Sequence, residues 1–98
     1  MEHILVSLLK KNKVVKWSEP GNSMTPIIRH REPILLSSDV SHIEVGDIVF
    51  CKVRGRYYTH KVKAICEQKG YLITNNHGHV NGWTKQIFGK YIGKPEAK

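Results

Sequence analysis

Apolar residues near the start of the chain recur at the spacing of one helix face: Ile4, Leu5, Leu8 and Leu9. The cations that follow, from Lys10 to Lys13, suit a helix C-terminus, where the helix dipole favours positive charge. The pattern therefore predicts one short N-terminal helix.

Beyond this helix, the apolar residues come in short runs separated by turns rich in glycine, asparagine or charge. Such runs are typical of β-strands. Strands are predicted at Val14–Trp17, Ile34–Ser37, 47–53, 57–65, 71–74 and 87–92. The fold class expected is mainly β, with a short N-terminal helix.

The predicted strands 47–53 and 57–65 follow each other closely enough for a hairpin. A two-residue turn at Gly55 and Arg56 would pair Cys51 with His60. Because strand side chains alternate between faces, His60 would share a mostly apolar face with Val49 and Val62. The opposite face would then be cationic and would carry four residues: Lys52, Arg54, Lys61 and Lys63.

Composition limits the size and surroundings of the protein. A chain of 98 residues with 40% hydrophobic residues fits one domain, residues 1–98, in which 93–98 would be a frayed tail. Since no stretch approaches the roughly 18 apolar residues of a membrane span, none is predicted, and a cytoplasmic location is expected. Cys51 and Cys66 are too far apart in the predicted hairpin for a disulfide and are expected as reduced thiols.

Net charge suggests one kind of partner. The chain has 16 Lys+Arg against 8 Asp+Glu, a formal charge of +8, which suits nucleic acid or an acidic protein. The lysines are scattered along the whole chain, however, and a solvated basic surface explains the same charge.

A sharp turn at residues 21–26 presents one serine. A serine hydroxyl is a poor nucleophile until a neighbouring base takes its proton and a fixed donor stabilises the oxyanion. Gly21 permits positive φ, Pro26 stiffens the exit, and Ser23 lies between them with an N–H group that can serve as an oxyanion donor. An ordinary loop explains these residues equally well when they are taken alone.

Four further segments follow this turn in a recognisable order. They are GDIVF at 46–50, YTHKV at 58–62, LITNN at 72–76 and IFGKYIG at 87–93. Together with GNSMTP at 21–26, they resemble the signal peptidase I / LexA-like serine peptidase superfamily over about residues 8–93.

The resemblance implies a small LexA/signal-peptidase-like β fold and peptide-bond hydrolysis without a cofactor. Ser23 would be the nucleophile, in a substrate-side turn with Gly21, Met24 and Pro26. His60 would be the base, as in the archaeal and endoplasmic-reticulum signal peptidases, which it resembles in standing before a basic residue and valine. An imidazole with an ordinary pKa near 6.5 can accept a proton at neutral pH.

The chain departs from the family where an aspartate normally orients the base. Asn75 stands in that segment and could accept a hydrogen bond from His60, but it cannot stabilise an imidazolium by charge. A second departure is Arg31-Glu32-Pro33, where the family commonly has Gly-Asp.

Two hypotheses follow, together with plainer interpretations of single residues. The first is a serine peptidase with a dyad of Ser23 and His60. The second is a catalytically inactive module of the same fold that binds nucleic acid or an acidic protein through the cationic hairpin face. Taken without the Ser23 turn, His60 is more simply explained as a packed, hydrogen-bonded core histidine. His77, His79 and Asn81 lack a further ligand for a metal, so no metal is predicted.

Overall fold

The computed structural model describes residues 2–95 and shows a mainly β protein, as the sequence predicts. Its elements, in chain order, are α1 (Ile4–Lys11), β1 (Val14–Trp17), β2 (Ile34–Ser37), β3 (Ile48–Val53), β4 (Arg56–Cys66), β5 (Gly70–Thr74), β6 (Val80–Thr84) and β7 (Gln86–Gly93). The strands form one antiparallel sheet in the order β1-β2-β7-β3-β4-β5-β6.

Helix α1 begins at a side-chain cap and lies against the sheet. His3 Nδ1 accepts a hydrogen bond of 3.0 Å from the Leu5 N–H group, which satisfies one of the free amides of the first turn. Leu9 packs so closely over Gly89 of β7 that a Cβ at this glycine would lie 2.9 Å from a Leu9 methyl carbon. A side chain at position 89 would displace the Leu9 side chain, so glycine allows the helix to pack closely against the central part of the sheet.

Two apolar clusters cover opposite faces of the sheet. The first lies under the helix and comprises Leu5, Val6, Leu9, Val15, Ile34, Leu36 and Phe50. The second comprises Val49, Cys51, Val53, Val62 and Ile73. Because Val49 and Phe50 are neighbours in β3, their side chains enter different clusters, which explains why almost the whole of this strand is buried.

The hairpin of β3 and β4 differs in register from the sequence prediction. The turn lies at Arg54 and Gly55, and it pairs Val49 with His60, whereas the sequence suggested a turn one residue later with Cys51 opposite His60. Both turn residues have positive φ, 51° and 82°, as a type I′ turn requires, and glycine at its second position suits this turn. The shift keeps the alternation of faces, so His60 stays on the side of Val49 and Val62.

Strand β6 is the element that the hydrophobic pattern did not predict. It contains Asn81 and Gly82, two residues that are uncommon in strands, and Gly82 has a φ of 135°. β6 forms one edge of the sheet beside β5. Val80, Trp83 and Thr84 favour strand structure, but Asn81 and Gly82 interrupt them, and pairing with β5 holds the segment in a strand.

The last described residues are paired instead of frayed. Gly93 pairs with Leu35 in β2, and Lys94 Nζ lies 3.0 Å from Glu32 Oε2. Of the predicted tail, residues 96–98 lie outside the described residues.

Both cysteines are free, as expected. Cys51 is buried in the second cluster, and burial raises the pKa of its thiol to about 12. At neutral pH this thiol is therefore protonated and unreactive.

Candidate active site

The predicted nucleophile lies on a short turn between β1 and β2. The turn is tightened by hydrogen bonds from Thr25 N–H to the Asn22 carbonyl, at 3.2 Å, and from Ile28 N–H to the Met24 carbonyl, at 2.9 Å. Met24 is buried and anchors the turn, whereas Ser23 is exposed. The bonds that fix this turn within residues 2–95 leave the Ser23 N–H group unused, so it can donate to an oxyanion.

Segments that are distant in sequence hold this turn in place. Asn76 bonds it twice, through its N–H group to the Ser23 carbonyl at 2.8 Å and through Nδ2 to the Thr25 carbonyl at 2.9 Å. His77 Nε2 lies 3.0 Å from the Asn22 carbonyl oxygen. These contacts fasten the turn that carries the serine to the loop after β5.

The predicted base lies on strand β4, where His60 is only 7% exposed. Its Nε2 atom is 3.0 Å from Ser23 Oγ, and its Nδ1 atom is 2.7 Å from Asn81 Oδ1. Because an amide oxygen only accepts, Nδ1 carries the proton and Nε2 is left to accept the serine proton. The ring also stacks on Tyr58, with 4.8 Å between the ring centroids.

Several groups act on the pKa of His60 in opposite directions. Burial is the largest cause and lowers this pKa below 6.5. The hydrogen bond that His60 donates to Asn81 and the negative charge of Glu19 raise this pKa in part, and the charge of His79 lowers it. At neutral pH the imidazole is therefore neutral, which is the form that a general base needs.

The two side chains meet in an open cleft with a volume of about 310 Å³. Its walls are apolar at Met24, Ile28, Ile34 and the two tyrosines Tyr57 and Tyr58. Charged residues also line it: Glu19, Arg29 and Glu32. A cleft of this size, open to solvent and mostly apolar with a few polar groups, is typical of a ligand site.

His60 Nδ1 donates its hydrogen bond to Asn81, and not to Asn75, which was the sequence candidate for this contact. Asn75 Oδ1 instead accepts hydrogen bonds from the N–H groups of His77 and His79, at 2.8 and 2.9 Å, and shapes the turn after β5. Asn81 enters the site because β6 pairs with β5 beside β4. No motif in the sequence marks Asn81 for this contact, since it lies in a mostly polar, glycine-containing segment, residues 75–82, just before Trp83.

The substrate-side turn residues surround Ser23 with different degrees of exposure. Gly21 has a φ of 114°, and its N–H group donates to His30 Nδ1 at 2.8 Å. Met24 is buried and Pro26 exposed. Of the three, Gly21 and Met24 line the cleft.

The four cations of the predicted hairpin face have separate surroundings. Lys52 Nζ lies 5.1 Å above the Tyr57 ring, and Lys61 Nζ lies 3.4 Å from Asn76 Oδ1. A third cation, Arg54, is in the hairpin turn beside Gly82.

Lys63 lies where the pairing of β4 with β5 is irregular, between Val62 and Ala64, so simple alternation does not apply to it. The side of the hairpin that was expected to be cationic is occupied largely by the cluster under the helix, including Phe50. A binding face formed by these four cations stays a prediction.

Comparison with known protein families assigns the chain to one of them. It matches the family described as Peptidase S24-like over residues 6–92, and it therefore belongs to that family. No curated protein and no solved structure gives a significant match. Within residues 2–95, no helix is long and apolar enough to cross a membrane.

Proposed function

We propose that this protein is a serine peptidase in which Ser23 and His60 form the catalytic dyad. The observation that carries the proposal is a continuous chain of contacts from Ser23 Oγ through the imidazole to Asn81, at 3.0 and 2.7 Å, at the wall of an open cleft. The family relationship supports a peptidase-like chemistry.

The first half of the reaction transfers an acyl group to the enzyme. Ser23 Oγ attacks the peptide carbonyl while His60 Nε2 takes the hydroxyl proton, and the Ser23 N–H group donates to the oxyanion. The protonated imidazole then gives its proton to the leaving amine as the carbon–nitrogen bond breaks. Water, deprotonated by the same imidazole, hydrolyses the resulting ester and restores the serine.

The sheet also leaves an edge for an extended substrate. The pairing of β4 with β5 begins at Lys61, so residues 56–60 of β4 are paired with β3 alone. Their free edge lines the cleft next to His60. An extended peptide can add to such an edge by main-chain hydrogen bonds and reach the serine.

The proposal is tested by turnover of a mixed library of unstructured peptides, with products identified by mass spectrometry. Wild-type protein should cleave members of the library, and Ser23→Ala should cleave none. Ser41→Ala is the matched control, because Ser41 is an exposed serine bonded to Asp39 and outside the cleft. Cleavage that persists in Ser23→Ala, or a library left intact by wild-type protein, would contradict the proposal.

A further inference from the structure

The proposed mechanism does not use the side-chain carboxylate of Glu19 as a binding group. Glu19 follows β1, is partly buried and lines the same cleft as Ser23 and His60. The Thr59 hydroxyl donates a hydrogen bond to Glu19 Oε1. This bond fixes the carboxylate on the cleft wall and leaves Oε2 available for another donor.

Glu19 has no cationic partner among residues 2–95. The salt bridges found there join other residues, and Arg29, although it lines the cleft, is not bonded to Glu19. A partly buried carboxylate is costly unless it is paired, so an unpaired one in a binding cleft is suited to a cation from outside.

A second carboxylate in the same cleft shows the contrast. Glu32 Oε2 lies 3.0 Å from Lys94 Nζ, and Glu32 Oε1 accepts from the Arg29 N–H group at 3.0 Å. Both oxygens are thus engaged within the protein. Of the two carboxylates, only that of Glu19 is available to neutralise a ligand.

The walls of the cleft suit the rest of a long basic side chain. Apolar side chains stand beside Glu19 in the lining: Met24, Ile28, Ile34 and Tyr57. Lysine and arginine bury their aliphatic stems against such surfaces while their charged ends reach a polar group. A small apolar side chain would leave this carboxylate without a partner.

We infer that Glu19 makes the cleft selective for peptides with a lysine or arginine side chain close to the bond that Ser23 attacks. The selectivity comes from a charge-assisted hydrogen bond to the carboxylate, together with contact between the side-chain stem and the apolar wall. This inference rests on the proposed function, since it takes the cleft beside the dyad as the peptide site.

Binding to the inactive Ser23→Ala protein tests the inference without requiring turnover. The probes are acetyl-Ala-Ala-X-Ala-Ala-amide peptides in which X is lysine, norleucine or glutamate, titrated by calorimetry. The lysine peptide should bind about tenfold more tightly than the norleucine peptide, as expected for one charge-assisted hydrogen bond. The glutamate peptide should bind most weakly.

Two isosteric variants in the Ser23→Ala background assign the preference to one carboxylate. Glu19→Gln keeps an acceptor for Thr59 and should reduce the lysine preference to within about twofold. Glu32→Gln, the matched control, should leave it intact. Equal binding of lysine and norleucine peptides, a preference that survives Glu19→Gln, or an equal loss in Glu32→Gln would overturn the inference.

If Glu19→Gln does not fold, salt provides the test on the Ser23→Ala protein alone. Raising the salt concentration from about 50 to 500 mM should reduce the lysine preference severalfold, because ions screen an accessible charge pair. A preference that does not change with salt would overturn the inference. Turnover of peptides without any lysine preference would overturn this inference and leave the proposed function standing, whereas absence of both binding and turnover would contradict the two together.

Discussion

The two members of the proposed dyad are held by different parts of the molecule. Ser23 is exposed on an irregular turn, and hydrogen bonds from distant loops fix the backbone around it. His60 is buried in β4, and the strands beside it fix its position. The nucleophile is thus positioned by polar contacts that can be removed singly, and the base by the sheet itself.

This difference separates activity from stability. The Ser23 hydroxyl contributes one contact at the surface of the protein, so its removal should cost little folding energy. The His60 side chain fills space beside Tyr58 and satisfies Asn81, so its removal should affect both catalysis and folding.

The largest expected effect therefore comes from replacing each dyad residue by alanine. Ser23→Ala and His60→Ala should each lower kcat by a factor on the order of 10⁴ or more, because the two groups act as one unit. Ser23→Ala should leave the thermal midpoint nearly unchanged, whereas His60→Ala should lose about 1–3 kcal/mol of stability, from the space left beside Tyr58 and the partly buried Asn81 left without its partner. Peptide cleavage and thermal melting measure the two effects. Equal melting temperatures for both variants would contradict the expected difference in how much Ser23 and His60 contribute to stability.

A smaller loss of activity is expected when His60 stays in place but loses the hydrogen bond that orients its ring. Asn81→Ala removes the acceptor of His60 Nδ1 and should lower kcat about 100-fold, with KM little changed. It should also lower the pKa of His60 further, because that hydrogen bond raises it. Asn75→Ala is the matched control and should cost less activity. A larger loss of kcat in Asn75→Ala than in Asn81→Ala would contradict the assignment of Asn81 as the residue that orients His60.

The pH dependence of activity should report the buried base. Because burial lowers the pKa of His60, kcat/KM should rise with pH and level off at an inflection below pH 6.5. Below the inflection the loss should approach about tenfold per pH unit. In Glu19→Gln the inflection should move to lower pH, since the negative charge that raises this pKa is gone. An inflection well above pH 6.5 would disagree with a neutral buried imidazole.

Removing a hydrogen bond that holds the turn around Ser23 should have a smaller effect on activity. Asn76→Ala removes the side-chain bond to the Thr25 carbonyl while keeping the main-chain bond to Ser23. We expect a loss of about 1 kcal/mol of stability and a severalfold decrease in kcat as the turn becomes less well positioned. Denaturant unfolding and peptide cleavage measure these changes. Gln68→Ala, at the turn between β4 and β5, controls for loss of a surface amide and should change neither quantity.

The smallest expected effect concerns the hairpin that carries the base. Arg54 has a φ of 51°, a conformation that asparagine tolerates better than arginine. Arg54→Asn should stabilise the protein by about 0.5 kcal/mol and leave kcat unchanged, because Arg54 does not line the cleft. Denaturant unfolding measures the gain. A change in kcat without a change in stability would mean that the hairpin turn affects the geometry of the Ser23 and His60 site.

Local patterns in the sequence were sufficient to predict most of the fold. Helical spacing around Leu5 and Leu9 predicted α1, and the short apolar runs predicted six of the seven strands approximately. The predicted hairpin turn lies one residue after the observed one. Arginine has no preference for positive φ, and the twist of the paired strands imposes this conformation on Arg54, so residue type alone did not indicate it. β6 was missed because Asn81 and Gly82 interrupt its strand-favouring residues, and pairing with β5 is what holds the segment in a strand.

The site was less predictable than the fold. Ser23 and His60 were found from a turn signal and a family resemblance, and the structure brings their side chains together. Asn81 was considered only as a metal ligand and Glu19 was not considered for the site, because each reaches it through the sheet topology and stands in no motif with the dyad. Contacts between residues this distant in sequence depend on strand order, which periodicity alone does not specify.

The central claim, that His60 activates Ser23, can be tested most directly by covalent labelling. Diisopropyl fluorophosphate reacts with serine hydroxyls activated by a neighbouring base, and intact mass followed by peptide mapping locates the adduct. The account predicts a single adduct on Ser23 in wild-type protein and a rate at least about 100-fold lower in a folded His60→Gln variant. No adduct on Ser23, or labelling at the same rate without the imidazole, would contradict it.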